Sequence, residues 1–315
     1  MISQTVYVTG AHGFVGSNLK TYLSRDRTTR VISVGRSGSD LTYHDFESET
    51  LEADSAIIHL AGKAHDLRNA TKSQDYDEVN FGLTKRTYDR FAESDATMFI
   101  FASSVKAVAD TVVGELTEST APNPSTPYGA SKRKAEDYLR NHATRHVQKT
   151  FILRPCMIHG PGNQGNLNLL FGLVSRRIPY PLGAFENKRS LLAIENLCFT
   201  IEQILSRQIE PGTYNVADDS PLSTKEMISI IGEAINKRPL ILNPPQSLMR
   251  QLASLGDRLS LPINSERLQK LTEDYVVSNA KLLQALGRRA MPITASAGLS
   301  QTAHALRLDA KGRKA

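Results

Sequence analysis

Short apolar runs punctuate the first half of the chain. They are TVYVTG (5–10), RVISVG (30–35), SAIIHLAG (55–62), TMFIFASS (97–104) and KTFILRP (149–155). Each is rich in β-branched residues and is flanked by a longer stretch of mixed apolar and polar positions. Continuous apolar runs of this length predict strands buried on both faces. Their alternation with helical stretches predicts a parallel sheet with right-handed crossovers. One helix is predicted near 76–94 and another from 128 to about 145. The loop ESTAPNPSTP (118–127) delivers the chain to the second, and Pro127 before Tyr128 marks its start.

Beyond Pro155 the pattern changes. GPGNQGN (160–166) reads as a loop. Helices are predicted at 167–177, 195–207 and 223–236, with a strand at GTYNVAD (212–218). The helix at 223–236 opens on Ser223 and Glu226, a capping-box spacing. Leu248, Met249, Leu252, Leu255 and Leu259 recur at helical spacing, which favours a packed stripe over a membrane-docking one. The fold class expected is α/β: a Rossmann-like doubly wound parallel sheet over 1–160, and a smaller mixed α/β C-terminal substrate domain over 161–315. The strand near 212–218 is expected to return to the first sheet.

Composition narrows the function classes. The 315 residues are 40% hydrophobic and 22% charged, enough for a sizeable core. The net charge of +6 is modest, and its basic pairs are scattered. Aromatics are only 6% with no Trp, so the interleaving typical of single-stranded nucleic-acid sites is missing. No nucleic-acid partner is expected. The two cysteines, Cys156 and Cys198, fit neither a disulfide framework nor a zinc site, and no metal is expected. No apolar run reaches the ~18 residues of a membrane span. No secretion signal opens the sequence, so a cytoplasmic, membrane-free protein is expected.

The first strand runs into TGAHGFVGSNL (9–19), with glycines at 10, 13 and 16. A strand before and a helix after are the context that makes such a loop a dinucleotide cradle. Glycines let backbone N–H groups approach a pyrophosphate at the helix N-terminus. The second strand ends without a carboxylate, at Gly35-Arg36. Arg36 suits a 2′-phosphate and so leans toward NADP over NAD, while Asp40 follows a few residues later on the adenine side.

YGASK (128–132) places a tyrosine and a lysine one turn apart on one helix face. A free phenol, with a pKa near 10, is a poor base at neutral pH. A nearby ammonium and an oxidised nicotinamide would favour its phenolate. Small residues at 129–131 are read as room for a cofactor. Ser103 and Ser104 end the fourth strand, where ligands sit in such sheets.

These elements together resemble the extended short-chain dehydrogenase/reductase family, in its nucleotide-sugar epimerase/dehydratase branch. Further likenesses lie at HLAGKAH (59–65), EVNFGLT (78–84), LRPCMIHGPGN (153–163), NKRSLLAIENL (187–197) and SNAKLLQALG (278–287). The resemblance implies NAD or NADP as cofactor. It also implies contacts to it from Gly10, Gly13, Phe14, Val15, Gly16, Arg36, Asp40, Leu41, Leu60, Ala61, Gly62, Asn80, Tyr128, Lys132 and Pro155. Tyr128 would be the general base, and Lys132 would hold the ribose and lower the tyrosine's pKa. Ser104 would bind the reacting oxygen, with Ser103 as alternative. Arg189 would bind the substrate pyrophosphate and Lys106 would face the substrate. A homodimer is implied, with Leu83, Tyr88, Phe91, Tyr138 and Leu139 as either its surface or core.

Val105-Lys106 stands where dehydratases of the branch carry an acidic pair. Two reactions at sugar C4 remain: 4-epimerisation of a UDP-hexose or UDP-N-acetylhexosamine, and reduction of a UDP-4-keto-6-deoxy-HexNAc. Both serve surface polysaccharide synthesis. Reduction of a non-nucleotide ketone and a non-catalytic dinucleotide sensor are the alternatives.

Overall fold

The computed structural model describes residues 4–25, 28–63, 73–142, 144–163, 165, 167–206, 209–258 and 264–312. Its first half alternates as the apolar runs require. β1 (Gln4–Thr9), α1 (Phe14–Leu23), β2 (Thr29–Gly35), β3 (Leu41–Thr42) and α2 (Tyr43–Ser48) lead to β4 (Ala56–His59). α3 (Ser73–Tyr76) runs through a π-helical turn (Asp77–Gly82) into α4 (Leu83–Glu93). β5 (Met98–Ala102), β6 (Glu115–Leu116), α5 (Pro127–Asn141) and β7 (Lys149–Pro155) complete this half. The remainder comprises β8 (Met157–His159), α6 (Leu167–Ser175), β9 (Leu191–Ala193), α7 (Ile194–Leu205), β10 (Gly212–Val216), α8 (Thr224–Ala234), α9 (Gln246–Arg258), α10 (Ser265–Thr272), β11 (Val276–Val277), α11 (Ala280–Ala285) and α12 (Ala295–Gly312).

Seven strands form one parallel sheet in the order β10-β7-β5-β4-β1-β2-β3. This is the α/β Rossmann architecture. Strand residues alternate between two cores, as the pleat demands. Tyr7, Ile57, Phe99, Phe101 and Ile152 fill one face, while Val6, Val8, Ile58, Ile100, Phe151 and Leu153 fill the other. The strands are buried on both faces because helices cover both. A third core is drawn from residues beyond 157, chiefly on α6, α8, α9 and α12. The C-terminal half does not form one separate block, however. β10 pairs with β7, and α7 and α11 pack on the sheet's second core.

Several boundaries are set by local chemistry. α5 starts at Pro127, with Thr126 as N-cap accepting from the Gly129 amide. Ser223 and Glu226 close the capping box that opens α8. The small sheets β6–β11 and β8–β9 join segments far apart in sequence, which local pattern cannot announce.

Of the residues read as dimer surface or core, Tyr88, Phe91 and Leu139 are core, at 1%, 0% and 3% exposure. Their rings and side chains pack under β5 in a single chain, so they are not available to a second copy. Leu83 and Tyr138 are partly buried. The leucine stripe splits: Met249 is buried, while Leu248, Leu252 and Leu255 are exposed, and Leu259 lies outside the described residues. Among the described residues no helix is long and apolar enough to cross a membrane.

Candidate active site

The site forms where β1, β4 and β5 end. Gly10 leaves β1 with φ +70°, a backbone region that favours glycine. A Cβ there would lie 2.8 Å from the Ala61 nitrogen. A Cβ on Gly16 would lie 2.3 Å from the Gly10 carbonyl, so the loop and α1 pack without room for any side chain. Gly13 caps α1, and Phe14 and Val15 form its first turn. No side chain caps this N-terminus and no acid sits in its first turn. Its free N–H groups and dipole fit a pyrophosphate. This is the geometry a dinucleotide needs.

At the second strand the carboxylate of Asp40 is engaged within the protein. It accepts from the Ser33 amide at 2.8 Å and the Ser33 hydroxyl at 2.6 Å, which holds its pKa below the usual range. Asp40 thus closes the turn between β2 and β3, with Leu41 opening β3. Arg36 is exposed at the tip of β2, next to Gly35.

The exit of β4 meets the tyrosine helix. Leu60 N donates to the Thr9 carbonyl, and Ala61 N to the Thr9 hydroxyl, both at 3.2 Å. A Cβ on Gly62 would lie 2.9 Å from Asn80 Oδ1 and 3.2 Å from Lys132 Nζ. Asn80 sits in the π-helical turn and is wholly buried. Its amide accepts from the Lys63 backbone N–H at 2.7 Å and donates to Ser131 Oγ at 3.0 Å. Its side chain forms a strut between the β4 exit and α5.

The small residues of YGASK also need a new explanation. A Cβ on Gly129 would lie 2.3 Å from the Lys106 carbonyl, so glycine there admits protein backbone and not a cofactor. Ser131 is buried and donates to the Tyr128 carbonyl at 2.8 Å.

The two serines are now separable. Ser104 lies beside the Tyr128 hydroxyl, where its side chain lowers the phenol's pKa. Ser103 faces inward and donates to the buried Glu136 at 2.5 Å. Both serines lie just past β5, and their partners distinguish them: Ser103, the alternative ligand of the reacting oxygen, is engaged by Glu136. Lys132 is 5% exposed and donates to the Ala102 carbonyl at 2.8 Å. Burial pulls its pKa down to about 8, against the pull of Glu136. Burial raises the pKa of Tyr128, and Ser104 partly offsets this. Tyr76 packs edge-on against Tyr128 with centroids 6.0 Å apart.

On the substrate side, Lys106 lies over the Tyr275 ring at 4.5 Å and donates to the Asp110 carbonyl at 2.9 Å. Burial lowers its pKa, Asp110 and Glu273 pull it back up, and Arg189 adds weakly to the lowering. Arg189 is fixed by its backbone bridges to Leu222 and Tyr275, and its guanidinium donates to the Lys270 carbonyl. Pro155 ends β7 beside this edge of the sheet.

Three contributors carry no signal that sequence pattern alone picks out. His59 is buried and bridges Thr9 (2.8 Å) to Thr84 (3.0 Å), tying β1 and β4 to α4. Glu136, one turn beyond Lys132, is marked only by its i+4 spacing. Tyr275 has no local mark at all.

The model of the NAD dependent epimerase/dehydratase family matches residues 6–217. A UDP-glucose 4-epimerase of Vibrio cholerae is 30% identical over 96% of this chain and 95% of its own. The Thermus thermophilus UDP-glucose 4-epimerase in complex with NAD superposes with a TM-score of 0.73, at 21% identity, over 96% of this chain and 99% of that one. RMD from Pseudomonas aeruginosa, complexed with NADPH, superposes with a TM-score of 0.72, at 19% identity, over 98% and 100%.

Proposed function

The chain belongs to the NAD-dependent epimerase/dehydratase family of nucleotide-sugar enzymes, and on that footing we propose that it performs oxidation–reduction at C4 of a UDP-linked hexose or N-acetylhexosamine. The observation that carries the reading is that the Ser104 side chain lies beside the Tyr128 hydroxyl and lowers its pKa, with Lys132 one turn below on the same face of α5.

The residues divide the work. Ser104 and Tyr128 converge on one oxygen, which becomes the C4 oxygen of the sugar. Tyr128 exchanges the proton of that oxygen. Lys132, anchored to the Ala102 carbonyl, keeps further N–H donors for the ribose and places a positive charge near the phenol. The bound NAD or NADP, held by the Gly10–Gly16 loop, supplies the acceptor or donor of the hydride at C4. Lys106 and Arg189 offer two cations to the diphosphate of the substrate.

Two forms of the reaction fit. The ketone-reducing form is favoured by Arg36, which suits the 2′-phosphate of NADP, and by the raised pKa of Tyr128, since a neutral phenol is ready to donate a proton. The 4-epimerising form is favoured by the likeness to the Vibrio cholerae enzyme. Either product would feed surface polysaccharide synthesis. Incubation with UDP-N-acetylglucosamine and UDP-glucose plus NAD, and with UDP-4-keto-6-deoxy-N-acetylhexosamine plus NADPH, separates them by product. Turnover of none of these would reject the proposal.

A further inference from the structure

Glu136 continues the series of residues one turn apart that begins at Tyr128 and Lys132. It is wholly buried, where a carboxylate is costly unless its lone pairs are met. They are met from three elements. Ser103 Oγ, just past β5, donates to Oε1 at 2.5 Å. Arg154 on β7 donates through Nε to Oε1 at 2.9 Å and through Nη2 to Oε2 at 2.6 Å. Arg140, one turn further along α5, donates to Oε2 at 2.7 Å. The two-pronged arginine contact matches carboxylate geometry and fixes its orientation.

Stability alone is a poor reason for such a network. A buried ion pair is often no better than apolar residues of the same volume. Its location relative to Lys132 gives a better one. From β5, Lys132 faces the Ala102 carbonyl and the Phe101 ring. From the β4 exit and the π-helical turn it meets Gly62 and the Asn80 amide. His59 on β4 is held uncharged by burial. Among these described groups Glu136 alone carries a negative charge.

We propose that Glu136 is a positioning residue for the Tyr128–Lys132 pair. Clamped by Ser103, Arg140 and Arg154, it locks the middle of α5 against the ends of β5 and β7. It also supplies the buried anion that keeps the Lys132 ammonium charged beneath the tyrosine. The consecutive serines then act on the same acid–base pair from two sides. Ser104 addresses the reacting oxygen, while Ser103 fixes the helix that carries the pair.

The inference rests on the role given to Lys132 above, so its test reads Lys132 directly. Lysine labelled with 13C at Cε reports the titration of Lys132 by NMR, the resonance being assigned by its loss in Lys132→Met. In the wild type the midpoint is expected at about 8. In Glu136→Gln it should fall by about one pH unit or more. In Glu136→Asp, which keeps the charge, it should stay near the wild-type value. The alkaline limb of kcat should move with the midpoint while the KM for the nucleotide sugar holds. Should Glu136→Gln fail to fold, the double variant Glu136→Gln/Arg154→Met removes both buried charges together, and a smaller fall is expected, because losing the Arg154 cation offsets part of the loss of the anion. An unmoved midpoint in either folded variant would overturn the proposal. A shifted midpoint without turnover of any nucleotide sugar would uphold it and reject the reaction instead.

Discussion

Lys132 Nζ donates to the carbonyl of Ala102 at 2.8 Å, which ties the middle of α5 to the last residue of β5. Ser103 and Ser104 follow Ala102 directly. One short stretch of chain thus sets the lysine, the buried carboxylate and the serine that meets Tyr128. The catalytic pair is positioned by the sheet edge as much as by its own helix.

Removing the proton-transfer group should separate chemistry from binding. Tyr128→Phe keeps the ring packed against Tyr76 and loses only the hydroxyl. Turnover should fall by about 10²- to 10⁴-fold. Calorimetric titration with NAD or NADP should show affinity within a few-fold of wild type.

The buried lysine gives activity and stability opposite responses to alkali. Its pKa is about 8 in the folded chain, against an ordinary 10.5. Between those values the unfolded chain binds the extra proton, so stability rises with pH through that window. Activity, which needs the ammonium, should fall as pH rises through about 8. Thermal melts and kcat measured from pH 7 to 10 check both slopes, and Lys132→Met should flatten the melting trend.

His59 acts in the acid range. Burial pulls its pKa from 6.5 down to about 3, so the folded chain holds it neutral. Unfolding takes up a proton below 6.5, and stability should be lost as pH falls from there toward 3. His59→Gln keeps hydrogen-bonding groups between Thr9 and Thr84, and its melting temperature should depend less steeply on pH between 6 and 4.

What the sequence makes legible depends on range. The sheet strands and the glycine loop can be read directly because β-branched runs and glycine spacing act locally. Ser104 and Ser103 are told apart only by their partners, Tyr128 for one and Glu136 for the other, which come from α5 later in the chain. Gly129 and Ser131 look like room for a cofactor because the groups filling their space, the Lys106 carbonyl and Asn80, come from elsewhere in the chain. Tyr275 reaches Lys106 through contacts far apart in sequence: its backbone bonds Lys188 and Ser190, and its hydroxyl donates to the Ala109 carbonyl.

The loop at Gly16 should tolerate no side chain. A Cβ there would press on the Gly10 carbonyl and on Ala11 Cα at 2.6 Å, both backbone atoms. Gly16→Ala should cost about 1–3 kcal/mol of stability. It should also abolish measurable NAD(P) binding, as read by thermal shift with and without cofactor.

Deuterium transfer between the sugar and the nicotinamide ring tests the C4 chemistry most directly. The donor is a UDP-hexose or UDP-N-acetylhexosamine labelled at C4, or 4-deuterated NAD(P)H offered with a UDP-4-keto-6-deoxy sugar. Mass spectrometry and NMR should find the label moved between sugar C4 and the cofactor, or returned to an inverted C4. Label that stays in place with every sugar the protein binds would contradict oxidation–reduction at that carbon.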